Sequence, residues 1–249
     1  MIEVKSLYKT FNKQQVLEDI SISFEPGITN LIIGRSGSGK TVLLKSIVGL
    51  HEIDRGEIWY DRVLFNMLEF KEMKAIRREI GMLFQGSALL DSMTVEENVM
   101  FPLSMFTDQA EEEKMDRVNF CLARVNIENA NKLYPSELSG GMRKRVAIAR
   151  AISLNPRYLF CDEPNSGLDP KNALLIDSLI QEITHEFNIT TIVNTHDMNS
   201  VIEIGQKVVF ISEGRKLWEG SNKDILTSDC EPLNDFVFAS SLAKKVKGK

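Results

Sequence analysis

The run Gly34-Arg35-Ser36-Gly37-Ser38-Gly39-Lys40-Thr41 completes the pattern G-x-x-x-x-G-K-[ST], whose chemistry is the grip of phosphate. Glycines let backbone amides turn inward onto phosphate oxygens. Lys40 supplies a cation for the β- and γ-phosphates, and Thr41 a hydroxyl for Mg²⁺. A second anion site lies at Leu138-Ser139-Gly140-Gly141-Met142, where a serine hydroxyl and glycine amides meet the start of a helix. Two half-sites on one chain point to two chains sharing two nucleotides, head to tail.

Asp162 and Glu163 follow the apolar run Tyr158-Leu159-Phe160-Cys161 and precede Pro164. An Asp ending such a strand can hold Mg²⁺ through a water, and the adjacent Glu can polarise an attacking water as general base. His196 comes just after another apolar strand, where open parallel sheets place ligands, and can hydrogen-bond a γ-phosphate. Gln85 likewise follows an apolar strand and can orient water or Mg²⁺. Taken singly these residues say little, because paired carboxylates on turns and isolated structural histidines are common.

The elements that must hold these residues alternate in type. Strands are predicted at Ile2 to Leu7, Val16 to Phe24, Thr29 to Ile33, Gly56 to Tyr60 and Ile80 to Phe84, from apolar runs and period-two alternation. Helices are predicted over Lys40 to Val48, from the Thr94-Val95-Glu96-Glu97 capping box through about Leu103, and over Gln109 to Val125. Asp169-Pro170 caps a further helix that should turn Leu175, Leu179, Ile183 and Phe187 to the core. Ile189 to Val193 is the next strand, and Lys207 to Ile211 with Leu217-Trp218 form a hairpin about Gly214. The expected fold is α/β, a mostly parallel sheet covered on both faces, with a helical insert over residues 89–154.

Bulk properties exclude several classes. The chain has 249 residues, 43% of them hydrophobic, and a net charge of −5, so no global basic field draws it to nucleic acid. The run Arg143 to Arg150 reads as one helix face, and Lys244 to Lys249 as a solvated basic end. Cys121, Cys161 and Cys230 are widely spaced, which fits free thiols in a reducing cytoplasm. The Met1-Ile2-Glu3-Val4-Lys5 start lacks a signal peptide's apolar core, and no apolar stretch approaches the roughly 20 residues that span a bilayer. In a transport role, other chains must supply the path.

The ordered set Phe11, Gly34 to Thr41, Gln85, Leu138 to Met142, Tyr158 to Glu163, Ser166-Gly167-Leu168-Asp169 and His196 resembles the ATP-binding-cassette (ABC) ATPases over about Ile2 to Gly220. The resemblance implies a P-loop NTPase (RecA-like) core with an N-terminal antiparallel β subdomain. It implies one ATPase domain over 1–225, with 1–88 and 155–225 as core, 89–154 as helical subdomain and 226–249 as a C-terminal extension. Phe11 matches the aromatic that stacks on adenine, and Lys40 and Thr41 the phosphate and Mg²⁺ ligands. Gln85 matches the hinge residue that senses the membrane partner. Ser139, Gly140 and Gly141 match the signature that closes on the opposite subunit's ATP. Asp162, Glu163, Asp169 and His196 match the metal aspartate, catalytic base, dimer-coupling aspartate and γ-phosphate histidine.

The resemblance further implies a homodimer that binds ATP and Mg²⁺ and docks on integral-membrane permease subunits at the cytoplasmic face of the inner membrane. The commonest signature ends in Gln, and this one ends in Met142. That ending and the stretch Gly81 to Val99 resemble the Mla-type, MCE-linked lipid-transport subgroup. An MCE-domain partner and lipid cargo are the matching expectations. Alternatives are an amino acid, metal or lipoprotein cargo, or a soluble ATPase without a transporter. Repair members carry long coiled coils between the two motifs and translation members two cassettes, so nucleic acid is not an expected partner.

Overall fold

The computed structural model describes residues 1–238. An antiparallel sheet is built from β1 (Ile2–Phe11), β2 (Gln14–Phe24), β4 (Arg55–Tyr60) and β5 (Val63–Leu64), in the order β2-β1-β4-β5. A second sheet contains β3 (Thr29–Ile33), β6 (Ile80–Leu83), β7 (Tyr158–Asp162), β8 (Thr190–Thr195), β9 (Lys207–Ser212) and β10 (Arg215–Gly220). Its order is β10-β9-β3-β8-β7-β6, parallel throughout except for the terminal β9/β10 hairpin. The fold is therefore the expected α/β P-loop arrangement with an antiparallel β subdomain.

The central parallel strands β3, β7 and β8 are buried along their whole length because both faces are covered. Tyr158 and Phe160 face one cluster, with Ile192, Val209, the β2 residues Leu17, Ile20 and Phe24, and Leu43 and Ile47 of α1 (Lys40–Ile47). Leu159 and Cys161 face the other, with Val193 and residues of α3 (Val95–Phe106), α4 (Glu111–Arg124), α5 (Gly140–Ile152) and α6 (Pro170–Glu186). Burial of the Cys121 thiol pushes its pKa up to about 11, so it behaves as a small apolar side chain. Among the described residues no helix is long and apolar enough to cross a membrane.

The capping box closes as expected: Thr94 N donates to Glu97 Oε2 at 2.7 Å, and Glu97 N to Thr94 Oγ1 at 3.4 Å. Two expectations need correction. On α6, Leu175 and Phe187 are exposed, while Ala173, Ile176, Leu179, Ile180 and Ile183 are buried. A strict four-residue step drifts around a 3.6-residue helix, so the ends of such a stripe leave the core face. The cations of α5 do not share one face either. Arg143 Nη1 donates to the Leu138 carbonyl, Arg145 Nη1 to that of Asn126, Arg150 to those of Ser87 and Ala88, and Lys144 Nζ to that of Gln85. Lys144 is buried, and burial lowers its pKa.

Three elements were not among those predicted: β5, α2 (Phe70–Arg78) and α7 (Met198–Ile204). None of the α2 residues is fully buried, although Met73 and Ile76 pack against the core, and α7 has only seven residues. In the C-terminal segment, α8 (Glu231–Val237) buries Leu233 and Val237, and Phe236 packs on Phe210 with ring centroids 5.5 Å apart. The basic end Lys244 to Lys249 lies outside the described residues. Phe160→Ala should destabilise the fold by about 3–5 kcal/mol, because it opens a cavity between sheet and α1; chemical denaturation measures it.

Candidate nucleotide-binding and hydrolysis site

The glycine loop leaves β3 at the C-terminal edge of the parallel sheet and feeds directly into α1. Two glycines are required by geometry. A Cβ at Gly34 would lie 2.1 Å from the Ile211 carbonyl oxygen, and Gly39 has φ 103° at the helix entrance. Lys40 is buried, and its Nζ donates to the Gly34 and Arg35 carbonyls at 2.9 and 3.1 Å. Burial lowers its pKa, while Glu163 and Asp162 act in the opposite sense. The buried Ser38 Oγ has no hydrogen-bond partner, whereas Arg35, Ser36 and Gly37 form the exposed rim. An ammonium held by carbonyls beside an unpartnered hydroxyl suits a phosphate chain.

Opposite the loop, three strands converge. Asp162 ends β7 and pairs in register with Asn194 on β8. Asp162 Oδ1 accepts from Asn194 Nδ2 at 2.5 Å and from Thr41 Oγ1 at 3.2 Å, and Asn194 Nδ2 also reaches Thr41 Oγ1 at 3.1 Å. One carboxylate and one hydroxyl fit a hard cation that takes its remaining ligands from phosphate and water. Glu163 adopts φ 49°, a region that non-glycine residues rarely enter, and its N–H donates to the Asn194 carbonyl at 2.9 Å. That turn sends the carboxylate to His196: Glu163 Oε2 and His196 Nδ1 are 2.7 Å apart.

Other predicted site residues are further apart. Gln85 makes no hydrogen bond to Asp162 or Thr41; its Nε2 donates to Ser166 Oγ at 3.3 Å. Ser139 caps α5, its Oγ accepting from Met142 N at 3.2 Å, and Gly140 and Gly141 form the first turn. Among the described residues no hydrogen bond links this signature to the glycine loop. Asp169 caps α6 by accepting from Lys171 N and Asn172 N, each at 3.1 Å. Its pKa is lowered, first by the Asn172 side-chain hydrogen bond. Phe11 is 37% exposed, edge-on to His51 at 5.2 Å, with Lys9 Nζ 4.8 Å from its ring centroid.

Residues 17–166 match the ABC transporter family. The chain belongs to that family. It is 36% identical over 253 residues to the methionine import ATP-binding protein MetN of Campylobacter jejuni, covering 95% of this chain and 75% of that one. It is 37% identical over 232 residues to a probable ribonucleotide transport ATP-binding protein, mkl, of Mycobacterium leprae, covering 93% and 67%. The solved dimeric post-hydrolysis state of the ATP-binding cassette MJ0796, bound to ADP and Pi, superposes with a TM-score of 0.81 at 32% identity, covering 89% of this chain and 99% of that one. As an ABC ATPase, the protein hydrolyses ATP in coupling with transport.

Asn194 is the site residue that the sequence reading missed, since the predicted strand stopped at Val193. The available signal was a lone amide in an apolar strand, two residues before His196. In this ABC ATPase it joins the Thr41 hydroxyl to the Asp162 carboxylate. Asn194→Ala should raise the Mg²⁺ concentration for half-maximal ATPase severalfold and cost about 1–3 kcal/mol of stability. Metal titration and thermal denaturation measure the two effects.

Proposed function

We propose that this chain is the motor of a membrane transporter, working as a homodimer that binds two ATP molecules with Mg²⁺. The observation that carries the reading is the Glu163–His196 pair at 2.7 Å, next to the strand end that holds Asp162 against Thr41. In this reading Lys40 and the amides and hydroxyls of Gly34 to Thr41 bind the phosphates, and Phe11 stacks on the base. Thr41 and Asp162 hold Mg²⁺, with Gln85 joining them when the helical subdomain moves. The metal, when bound, neutralises phosphate charge. Glu163 accepts a proton from the water as its oxygen attacks the γ-phosphorus, and ADP leaves with the bridging oxygen. His196 orients Glu163 and the γ-phosphate.

Ser139, Gly140 and Gly141 contact the nucleotide of the second chain, and Asp169 couples the two sites. The separation of the signature from the glycine loop within one chain supports this, as does the dimeric state of MJ0796. Residues 1–225 act as one cassette, with 89–154 as the lever that meets the permease at the cytoplasmic face of the membrane. We assign lipid as the cargo, with an MCE-domain protein as substrate-binding partner. The support is Leu-Ser-Gly-Gly-Met at 138–142 and the permease-facing stretch from Gly81 to Val99. A second reading, amino-acid import, is favoured by the similarity to proteins named for methionine import.

Two outcomes are expected. Glu163→Gln keeps the shape of the side chain but not the base, so it should bind ATP, accumulate as a closed dimer and turn over at least about 100-fold more slowly. Single-turnover kinetics with size-exclusion chromatography would show it, and near-wild-type hydrolysis would remove Glu163 from the mechanism. The transporter complex should co-extract phospholipid detectable by mass spectrometry. A lipid-free complex whose ATPase is stimulated by an amino acid would replace the lipid assignment and leave the motor intact.

A further inference from the structure

Behind the Glu163–His196 pair, three polar side chains are sealed from solvent. Asp177 on α6 is 1% exposed, Ser200 on α7 0%, and Asn165 in the loop between β7 and α6 8%. Asn165 Nδ2 donates to Asp177 Oδ1 at 2.8 Å and to Ser200 Oγ at 3.0 Å. Asp177 Oδ2 and Asn165 Oδ1 are buried without a hydrogen-bond partner, and both residues border a cavity of about 280 Å³ that Leu168 and Asp197 also line.

Stability alone does not account for this cluster. Burial pushes the Asp177 carboxyl up to about 6, against the hydrogen bond from Asn165, and the nearby Asp197 and Glu203 add to the rise. Its ionised form is thus disfavoured where it sits, and replacing buried charge by apolar groups is often neutral or stabilising. What the cluster supplies is geometry. Asn165 is two residues beyond Glu163, and Ser200 is four beyond His196. The turn between them is tight, with Ser166 N donating to the Glu163 carbonyl at 3.2 Å and Leu168 N to that of Asn165 at 3.1 Å. The Asn165 amide, itself held by the Asp177 carboxylate, therefore ties the chain that carries Glu163 to the helix that follows His196.

We propose that Asp177 is a positioning residue that, through Asn165 and Ser200, sets the approach of Glu163 to His196. The proposal rests on the reading of that pair as the hydrolytic base and its partner. It makes the buried carboxylate a determinant of turnover, with no contact to nucleotide.

The test compares Asp177→Leu, Asp177→Asn and Ser200→Ala with Glu163→Gln in the assembled transporter, measuring kcat, KM and ATP affinity. Asp177→Leu removes the acceptor while keeping the branched heavy-atom skeleton and should lower kcat about tenfold, with KM and ATP affinity within about twofold. Asp177→Asn can still accept from Asn165 through its amide oxygen and should recover kcat to within about threefold of wild type. Wild-type kcat in Asp177→Leu, equal impairment of Leu and Asn variants, or loss of ATP binding in parallel with kcat would each overturn the proposal. If Asp177→Leu fails to fold, Ser200→Ala carries the test: a severalfold fall in kcat at unchanged KM supports it, and wild-type kcat overturns it. Unimpaired hydrolysis by Glu163→Gln would instead remove the hydrolytic reading itself, whatever the Asp177 variants do.

Discussion

The hydrogen bond between Asn194 and Asp162, 2.5 Å long across two adjacent parallel strands, is the constraint on which the site depends. It fixes one oxygen of the Asp162 carboxylate where Thr41 also reaches it, so the start of α1 and the ends of β7 and β8 share one point. Glu163 leaves that point through a backbone conformation with φ 49°, held by its own N–H on the Asn194 carbonyl. Asn194 thus orients the end of β7 with its side chain and the residue after it, Glu163, with its backbone.

Cations of α5 add contacts to backbone carbonyls beside the apolar packing that joins the helical layer to the sheet. Cations spread around α5 reach the Leu138, Asn126, Gln85, Ser87 and Ala88 carbonyls. Charge-assisted bonds of this type are stronger than neutral ones and replace water on otherwise unpaired backbone. The loop after β6 is therefore held by the helix that begins at the signature, and Gln85 touches both Lys144 and Ser166. A movement of α5 must be felt at Gln85 and at the turn that follows Glu163.

Much of the fold was legible in the residues because its signals are local. β3 matched its predicted bounds, and the Thr94 and Asp169 caps and the hairpin about Gly214 form from contacts within a few residues. The helix α2 was not legible, since its anchoring residues are only half-buried and its surface is charged. Leu175 and Phe187 were misplaced because a four-residue step and a 3.6-residue helix agree for only two turns. Asn194 and Asp177 were invisible for a different reason. Asn194 is followed by Thr195 and Asp177 by Ser178, so neither stands out locally, and the meaning of each lies in a partner 32 or 12 residues away.

The amino-acid sequence by itself determined the chemistry on offer: a phosphate loop, a signature serine, two carboxylates and a histidine at the ends of apolar strands. It determined the α/β class as well, because periodicity and caps are encoded within a turn or two. Only the tertiary structure decided which of these groups meet. It joined Asp162 to Thr41 through Asn194 and Glu163 to His196, and it left Gln85 on Ser166 and the signature apart from the glycine loop. The physical reason is register. Parallel strands far apart in the chain place their ends side by side only when the whole sheet forms, and no local pattern records which strand will be the neighbour.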